Sequence, residues 1–567
     1  MFARRRPRIR HINVCSRPQV GLSPGPSCLV AGLAVALFAS AAHAESAPWS
    51  ERIANSLLLP HPTTQPAEGA PAAFEAETGF VLQGLETEWY NTANGDYYRR
   101  AKEMVDAVLP AHDGSGSADQ PGDAAGQLGR QLLLFYRVTL RENYYHAAEK
   151  LRRQLAASCG ISAAEGQPVQ VGNHPAKRIC TAEPFLAEFA SVFDKPQDFA
   201  ALTKDFLAWD FQSNPRSSGH AEQLSGAEAA TSEAELSAAL VDSLVYYPRN
   251  DPGRVQLVAI LNRIASHTEN ELNKIGNSSI HRIVSPSSAC LYVYALLKGA
   301  RLGFLPAQFT IVAERAWNRI VKDCVRVNAS GAIGLGPALA DDSGHKTTLQ
   351  SGASSSWAGE QYGIGALLMA ATEVDLAPTA SDARGQMVMI DSWYNSQQRK
   401  NAADQMEYFH YKWSDISDSG YSLLGSMFQS RGASLETLTA APTRDKLRNA
   451  RFYIIVSPDI PVKNPNPHYM NEQDAAEIAA WVHEGGVLIL MENDPPNADI
   501  THLNLLSDRF GLHFDDVLKH HIIGEQVEDG RISVEAGGPL FQQAHTLYMK
   551  DTCVISVRGA ATVSRRY

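Results

Sequence analysis

The feature that most constrains this chain is a change of rhythm near Ala383. From about Glu75 to Glu373 the apolar residues recur at helical spacing, and after it strand-like and helical runs alternate. In Glu142–Leu155, residues Tyr144, Ala147, Ala148, Leu151 and Leu155 share one helical face, and in Val255–Leu272 so do Val258, Leu261, Ile264 and Ala265. Further helices are expected over Ala182–Phe193, Pro196–Trp209, Glu235–Tyr246, Ser288–Arg301 and Gln308–Val327. Asp251-Pro252 opens one helix and Pro306 precedes another. Roughly ten to twelve helices joined by turns suit a closed ring of helical hairpins, with a solenoid of helix pairs as the competing solution. Stretches 113–126, 212–230 and 338–357 read as loops, placed where the rim of such a ring would build a cleft.

Beyond Ala383, strands are expected at Gln386–Trp393, Leu435–Thr439, Phe452–Val456 and Val487–Met491. Helices are expected at Tyr421–Arg431, Arg444–Asn449 and Glu472–His483. That alternation argues for a doubly wound parallel sheet. Ala560–Tyr567 offers no clear closing element, so the expectation is an incomplete sheet or a chain cut short.

The front end reads as an address. Arg4, Arg5, Arg6, Arg8, Arg10 and Arg17 precede an apolar run from Cys28 to about Ala42, and Ala42-His43-Ala44 fits a cleavage site. That run is shorter than the roughly 20 residues a bilayer needs, so export is expected without a stable membrane span. The division is therefore a signal peptide over 1–44, a helical domain over 45–382 and an α/β domain over 383–567. The formal net charge of −11 disfavours nucleic acid and repels polyanions at long range, so any uronate site must concentrate its cations locally. Cys159, Cys180, Cys290, Cys324 and Cys553 show no metal-knuckle spacing, and Cys159 with Cys180 reads either as a disulfide or as two buried thiols.

Thr181–Ala190 resembles the M-A-x-P-F-L-A-x-x-A stretch of glycoside hydrolase families 88 and 105, the unsaturated glucuronyl and rhamnogalacturonyl hydrolases. Gln83–Leu85, Gly129–Tyr136, Ala239–Leu244 with Tyr247-Pro248, and Tyr292–Leu302 match in the same order. The C-terminal part resembles the amidotransferase-like domain of some longer members. The resemblance implies an (α/α)6 barrel followed by a doubly wound α/β, amidotransferase-like domain. It implies a partner too: an oligosaccharide, pectin- or glycosaminoglycan-derived, ending in a C4=C5 unsaturated uronic acid. In such families an aspartic acid protonates the enol ether, water adds at C5, and the hemiketal opens to release the neighbouring sugar. Ungapped counting puts Lys177 at that acid's position, and no Asp occurs between Ala124 and Phe193. Ala124 and Ala125 stand where a second Asp is expected, which leaves Asp123 as the candidate catalytic acid. A non-catalytic oligosaccharide- or partner-binding protein is the alternative, and no cofactor is implied.

Lys177 and Arg178 are the candidate carboxylate binders, because Arg grips carboxylates bidentately, although a solvated basic pair in a loop looks the same. Glu183 and Glu188, five apart on one helix, read as surface or rim carboxylates. The aromatic run Tyr408–Trp413 reads as a plug between the domains, with a sugar platform as the other use. His520-His521 beside Asp515-Asp516 lacks a third ligand at metal spacing, so no metal site is expected. The turn after Val487–Met491 holds Glu492, not Cys, which excludes a thiol nucleophile there.

Overall fold

The computed structural model describes residues 47–59, 76–109, 124–158, 175–213, 226–275, 285–328, 331–335, 363–495, 497–524, 526–537 and 544–559. Its first part is helical: α1 (Trp49–Leu58), α2 (Ala76–Thr92), α3 (Gly95–Val108), α4 (Ala125–Thr139), α5 (Glu142–Ser158) and α6 (Pro175–Val192). There follow α7 (Asp198–Ser213), α8 (Gly226–Leu244), α9 (Pro252–Ile275), α10 (Pro286–Arg301), α11 (Phe309–Asp323) and α12 (Ile364–Leu376). Helices α2, α4, α6, α8, α10 and α12 each pack on the next, and α12 returns to α2, closing an inner ring. Helices α3, α5, α7, α9 and α11 lie outside it, and α1 completes the outer layer by packing on α12. The ring of helical hairpins expected from the sequence is present, and the solenoid is not.

Inner helices are buried on nearly all sides, which explains their weak amphipathic period. Every residue of α12 from Ile364 to Glu373 is buried. Close approach depends on small residues: a Cβ on Gly365 would overlap the backbone of Phe80 and Val81, and one on Gly129 would meet the Phe185 ring at 2.7 Å. Inner-to-outer connections are short, as at Ala93-Asn94 and Leu140-Arg141. The outer-to-inner segments are longer in sequence, and each runs into the N-terminal end of an inner helix.

Several boundaries differ from expectation, and α8 begins at Gly226, nine residues before Glu235 and within the stretch 212–230 read as a loop. Helix α6 starts at Pro175, seven residues before Ala182, because a proline at the first helical position loses no bond it could have made. Helix α11 stops at Asp323, and Val325–Val327 (β1) pairs antiparallel with Ile333–Leu335 (β2), where the β-branched residues prefer a strand.

The second part is built on four parallel strands, β3 (Met387–Asp391), β6 (Ser434–Leu438), β7 (Ala450–Val456) and β8 (Val487–Met491), in the order β6-β3-β7-β8. Strands β4 (Gln398–Lys400) and β5 (Met406–Tyr408) form a hairpin after β3. One face of the sheet, with Met389, Tyr453 and Ile455, is covered by α15 (Glu472–His483) and α16 (Ile500–Ser507). The other, with Val388, Ile390, Ile454 and Val456, meets Leu424 and Phe428 of α13 (Ser422–Ser430). A four-residue helix, α14 (Arg444–Leu447), leads into β7. Beyond the sheet lie two antiparallel pairs the sequence reading did not anticipate: β9 (Leu512–Lys519) with β12 (Thr552–Val557), and β10 (Arg531–Val534) with β11 (His545–Tyr548).

The sheet domain meets the barrel at the C-terminal ends of inner helices. Ala402 donates its N–H to the Tyr136 hydroxyl (2.8 Å), Gln405 donates to the Phe193 carbonyl (2.8 Å), and Arg137 donates to the Ser414 carbonyl (3.0 Å). The plug is thus made by Ala402 and Ala403 in the β4–β5 turn, not by the aromatic run. Positive φ angles at His410 (55°) and Tyr411 (51°) turn that run back onto its own sheet, where Tyr411 and Trp413 pack.

Candidate functional site

Toward the mouth of the ring, a narrow cleft is lined by Phe80, Gln83, Gln127, Arg130, Glu235 and Asp242, with Pro184 of α6 beside them. Asp242 is the hub of its floor. It accepts from Gln83 Nε2 (2.5 Å), Tyr294 Oη (2.5 Å) and Lys298 Nζ (2.6 Å), and pairs with Arg130 at 3.0 Å. Burial alone would raise the Asp242 pKa, but Lys298 and Arg130, with hydrogen bonds from Lys298 and Tyr294, bring it down to about 2. Asp242 is therefore a fixed anion and cannot serve as a proton donor near neutrality.

Below the floor the charges continue along the axis. Arg130 Nε lies 3.7 Å from Glu188, and Glu188 lies 3.3 Å from Arg137, whose other nitrogen reaches Ser414. Gln131 donates to Glu86 at 2.9 Å. Burial pushes the Glu86 pKa up, against the pull of Arg130. Glu86, Tyr90 and Tyr246 are half-buried at this depth. Several groups have no hydrogen-bond partner among the described residues: both side-chain polar atoms of Gln127, Arg130 Nε and Gln131 Oε1. Buried amides and guanidinium nitrogens are seldom left so in a filled interior.

Of the residues singled out from sequence, Asp123 lies outside the described residues. Lys177 and Arg178 fall in the first turn of α6, not in a loop, and their side chains lie outside the described residues, as do Cys159 and the side chain of Cys180. Cys290, Cys324 and Cys553 are free thiols. Glu183 and Glu188 are both buried, which corrects their reading as surface carboxylates. The cause is the inner ring: a helix enclosed on all sides has no solvent face to give them. Glu188 meets Arg130 and Arg137, whereas Glu183 feels the charge of Asp205 on α7 and has neither oxygen partnered among the described residues. His521 pairs with Asp551 at 2.8 Å, and no metal-binding group occurs among the described residues.

The floor residues Arg130, Asp242 and Lys298 were missed by the sequence reading. Their signal was present: each is an ionisable residue within an apolar helical run, as in Leu132–Tyr136 after Arg130, Leu240-Val241 before Asp242 and Tyr292–Leu297 before Lys298. Such a charge is costly inside a packed interior unless it is paired, and here each is.

The model of Glycosyl Hydrolase Family 88 matches residues 49–376. No curated protein matches the chain. Among solved structures, a family 105 glycoside hydrolase from C. acetobutylicum ATCC 824 is 19% identical, covering 58% of this chain and 99% of its own, with a TM-score of 0.45. A family 88 glycosyl hydrolase from Bacteroides vulgatus is 15% identical over 57% of this chain and 98% of its own, with a TM-score of 0.41. An unsaturated glucuronyl hydrolase specific for heparin is 13% identical over 57% of this chain and 94% of its own, with a TM-score of 0.40. Likenesses at this level assign no activity. Among the described residues no helix is long and apolar enough to cross a membrane.

Proposed function

Because this chain belongs to glycosyl hydrolase family 88, we propose that its barrel takes the uronyl end of an acidic oligosaccharide, one with a terminal C4=C5 unsaturated uronic acid, and holds it without hydrating it at a useful rate. Binding is supported by what lines the cleft. Arg130 offers a guanidinium to the sugar carboxylate, Gln83 and Gln127 offer amides to hydroxyls, and Phe80 offers an apolar face. The observation that carries the non-catalytic half is Asp242. The step requires a carboxylic acid that gives a proton to the enol ether, and Lys298 with Arg130 keeps this carboxyl ionised.

A second reading keeps the reaction, with Asp123 as the acid. It is favoured by one adjacency: Ala124 is the cap of α4, the helix that brings Gln127 and Arg130 to the cleft, and Asp123 directly precedes it. The leading arginines and apolar run support an exported protein. The α/β part is proposed to be amidotransferase-like in its order of elements only, since Glu492 stands where a nucleophilic thiol would be needed.

The test is ultraviolet absorbance of the protein with unsaturated rhamnogalacturonan and glycosaminoglycan disaccharides, alongside calorimetric titration. Heat of binding with a flat absorbance trace is expected. Steady loss of the C4=C5 chromophore, abolished by Asp123→Asn, establishes the second reading instead. A flat trace without heat from folded protein rejects both.

A further inference from the structure

The cleft's cation is not held by the cleft alone. Arg130 and Arg137 are seven residues apart on α4, one heptad and about 10 Å along the axis. Between them sits Glu188 of α6, 3.7 Å from Arg130 and 3.3 Å from Arg137. Arg137 in turn donates to the Ser414 carbonyl of the α/β domain at 3.0 Å. Ser414 belongs to a rigid stretch: the next residue, Asp415, is buried and accepts from the Ser417 N–H (3.0 Å) and hydroxyl (2.6 Å) and from the His410 N–H (3.0 Å). A continuous ladder therefore runs from Asp242 through Arg130, Glu188 and Arg137 to a carbonyl of the second domain.

The ladder brings Arg130, Arg137 and Lys298 against Asp242, Glu188 and Glu86, and Glu235 lines the same cleft. In a chain whose overall formal charge is −11 a uronate is repelled at long range, so what Arg130 keeps for a ligand depends on how much of its charge Glu188 takes.

We propose that Arg137 and Glu188 are positioning residues that set the barrel's preference for an anionic over a neutral sugar end, acting through Arg130, and that the α/β domain takes part by anchoring Arg137 at the Ser414 carbonyl. This rests on the reading that the cleft binds a uronate. Without Arg137, Glu188 has one cation left, turns wholly to Arg130 and cancels the charge meant for the ligand. Without the Glu188 charge, both guanidinium groups act on the ligand undiminished.

The two residues thus predict opposite signs. The measurement is calorimetric affinity for an unsaturated glucuronyl disaccharide and for its uncharged methyl ester, in wild type, Arg137→Gln, Arg137→Lys and Glu188→Gln. A unit charge about 10 Å away at an effective dielectric of about 20 changes an affinity roughly ten-fold. Arg137→Gln is expected to weaken the acid roughly ten-fold, Arg137→Lys to restore most of it, and Glu188→Gln to tighten it, with the ester little changed throughout. A role in packing alone would weaken acid and ester together in both Gln variants, and that result overturns the proposal. If Arg137→Gln does not fold, the sign of the Glu188→Gln effect decides. Wild type that binds neither ligand removes the uronate reading and this inference with it. Wild type that binds the acid while all variants match it removes the ladder alone.

Discussion

The barrel axis and the C-terminal edge of the sheet are both crowded with buried charge, yet they are built in opposite ways. At the sheet edge most groups are closed by their own loops, Glu492 Oε2 being without a partner among the described residues. Asp391 accepts from the N–H groups of Tyr394 (2.9 Å) and Asn395 (3.2 Å) and from the Tyr453 hydroxyl (2.8 Å). Asp459 accepts from Ser396, Gln397 and Asn464, and Lys412 donates twice to Asn395. Burial pushes Lys412 down to about 8, against the pull of Asp391 first, and pushes Asp391 up to about 6. In the barrel, by contrast, Gln127 has no partner for either polar atom among the described residues, and neither has Gln131 Oε1. α/β sheets usually bind ligands at such an edge, where strand order reverses, here between β3 and β7. In this molecule Asp391, Asp459 and Lys412 are satisfied there by their own loops, whereas Gln127 in the barrel is not.

Breaking the closed region should therefore cost stability and leave sugar binding alone. Asp391→Ala strands two backbone donors and the Tyr453 hydroxyl, and leaves Lys412 with one nearby carboxylate fewer. A loss of about 3–5 kcal/mol is expected in denaturant unfolding of the α/β part, with uronate affinity at 10 °C unchanged. Equal damage to sugar binding would mean that the sheet edge is part of the binding site, and the contrast would fail.

The open region should respond the other way. Arg130→Gln removes the one guanidinium of the cleft floor and is expected to weaken uronate binding by about 2–5 kcal/mol, roughly 30-fold or more. The methyl ester should be much less affected. Loss of both ligands in parallel would show that Arg130 shapes the cleft without meeting the carboxylate.

A third change sharpens the contrast by leaving charge untouched. Gly365→Ala places a methyl against the Phe80 and Val81 backbone where α12 crosses α2. Overpacking of this kind costs about 1–3 kcal/mol. Because Phe80 lines the cleft, acid and ester affinity should fall together. Thermal melting with paired titrations checks this, and a selective loss of the acid would contradict it.

How much of this could be read from sequence follows the same division. The strand Val487–Met491 and the helix Glu472–His483 fall where the apolar run and its turn residues placed them, because a sheet's strands are delimited by Gly, Asn and Pro on either side. The ring of hairpins was legible from the outer helices, whose solvent face gives a clean period. Inner helices such as Ser288–Arg301 were legible as apolar runs, but enclosure on all sides erases the period that tells one face from another, and so Glu188 was placed on a surface it never reaches. Arg130, Asp242 and Lys298 come together from α4, α8 and α10, a meeting no local pattern encodes. The family resemblance directed attention to the segment before Thr181, while the charges that shape the described cleft sit deeper on other helices.

The smallest expected effect concerns Glu183, a buried charge site that belongs to neither system. Among the described residues it has no partner for either oxygen; burial first, and then Asp205, push its pKa well above the ordinary value. Its folded form keeps the proton after the unfolded chain, with an ordinary Glu near 4.3, has released it. The native state then binds more protons than the unfolded one, so stability falls as pH rises from about 4 upward. Asp205, raised to about 7 chiefly by burial, adds a loss with the same sign that is complete once pH passes that value. Glu183→Gln stays neutral in both states and removes the larger part of this slope. It is expected to match wild type at pH 4 and to melt higher at pH 8, by about 2 °C or more. Asp205→Asn should give a smaller gain that stops growing near neutrality. Melting curves from pH 4 to 8 that run parallel for wild type and Glu183→Gln would show that this carboxyl has found a partner, and the α6–α7 contact would then be as closed as the sheet edge.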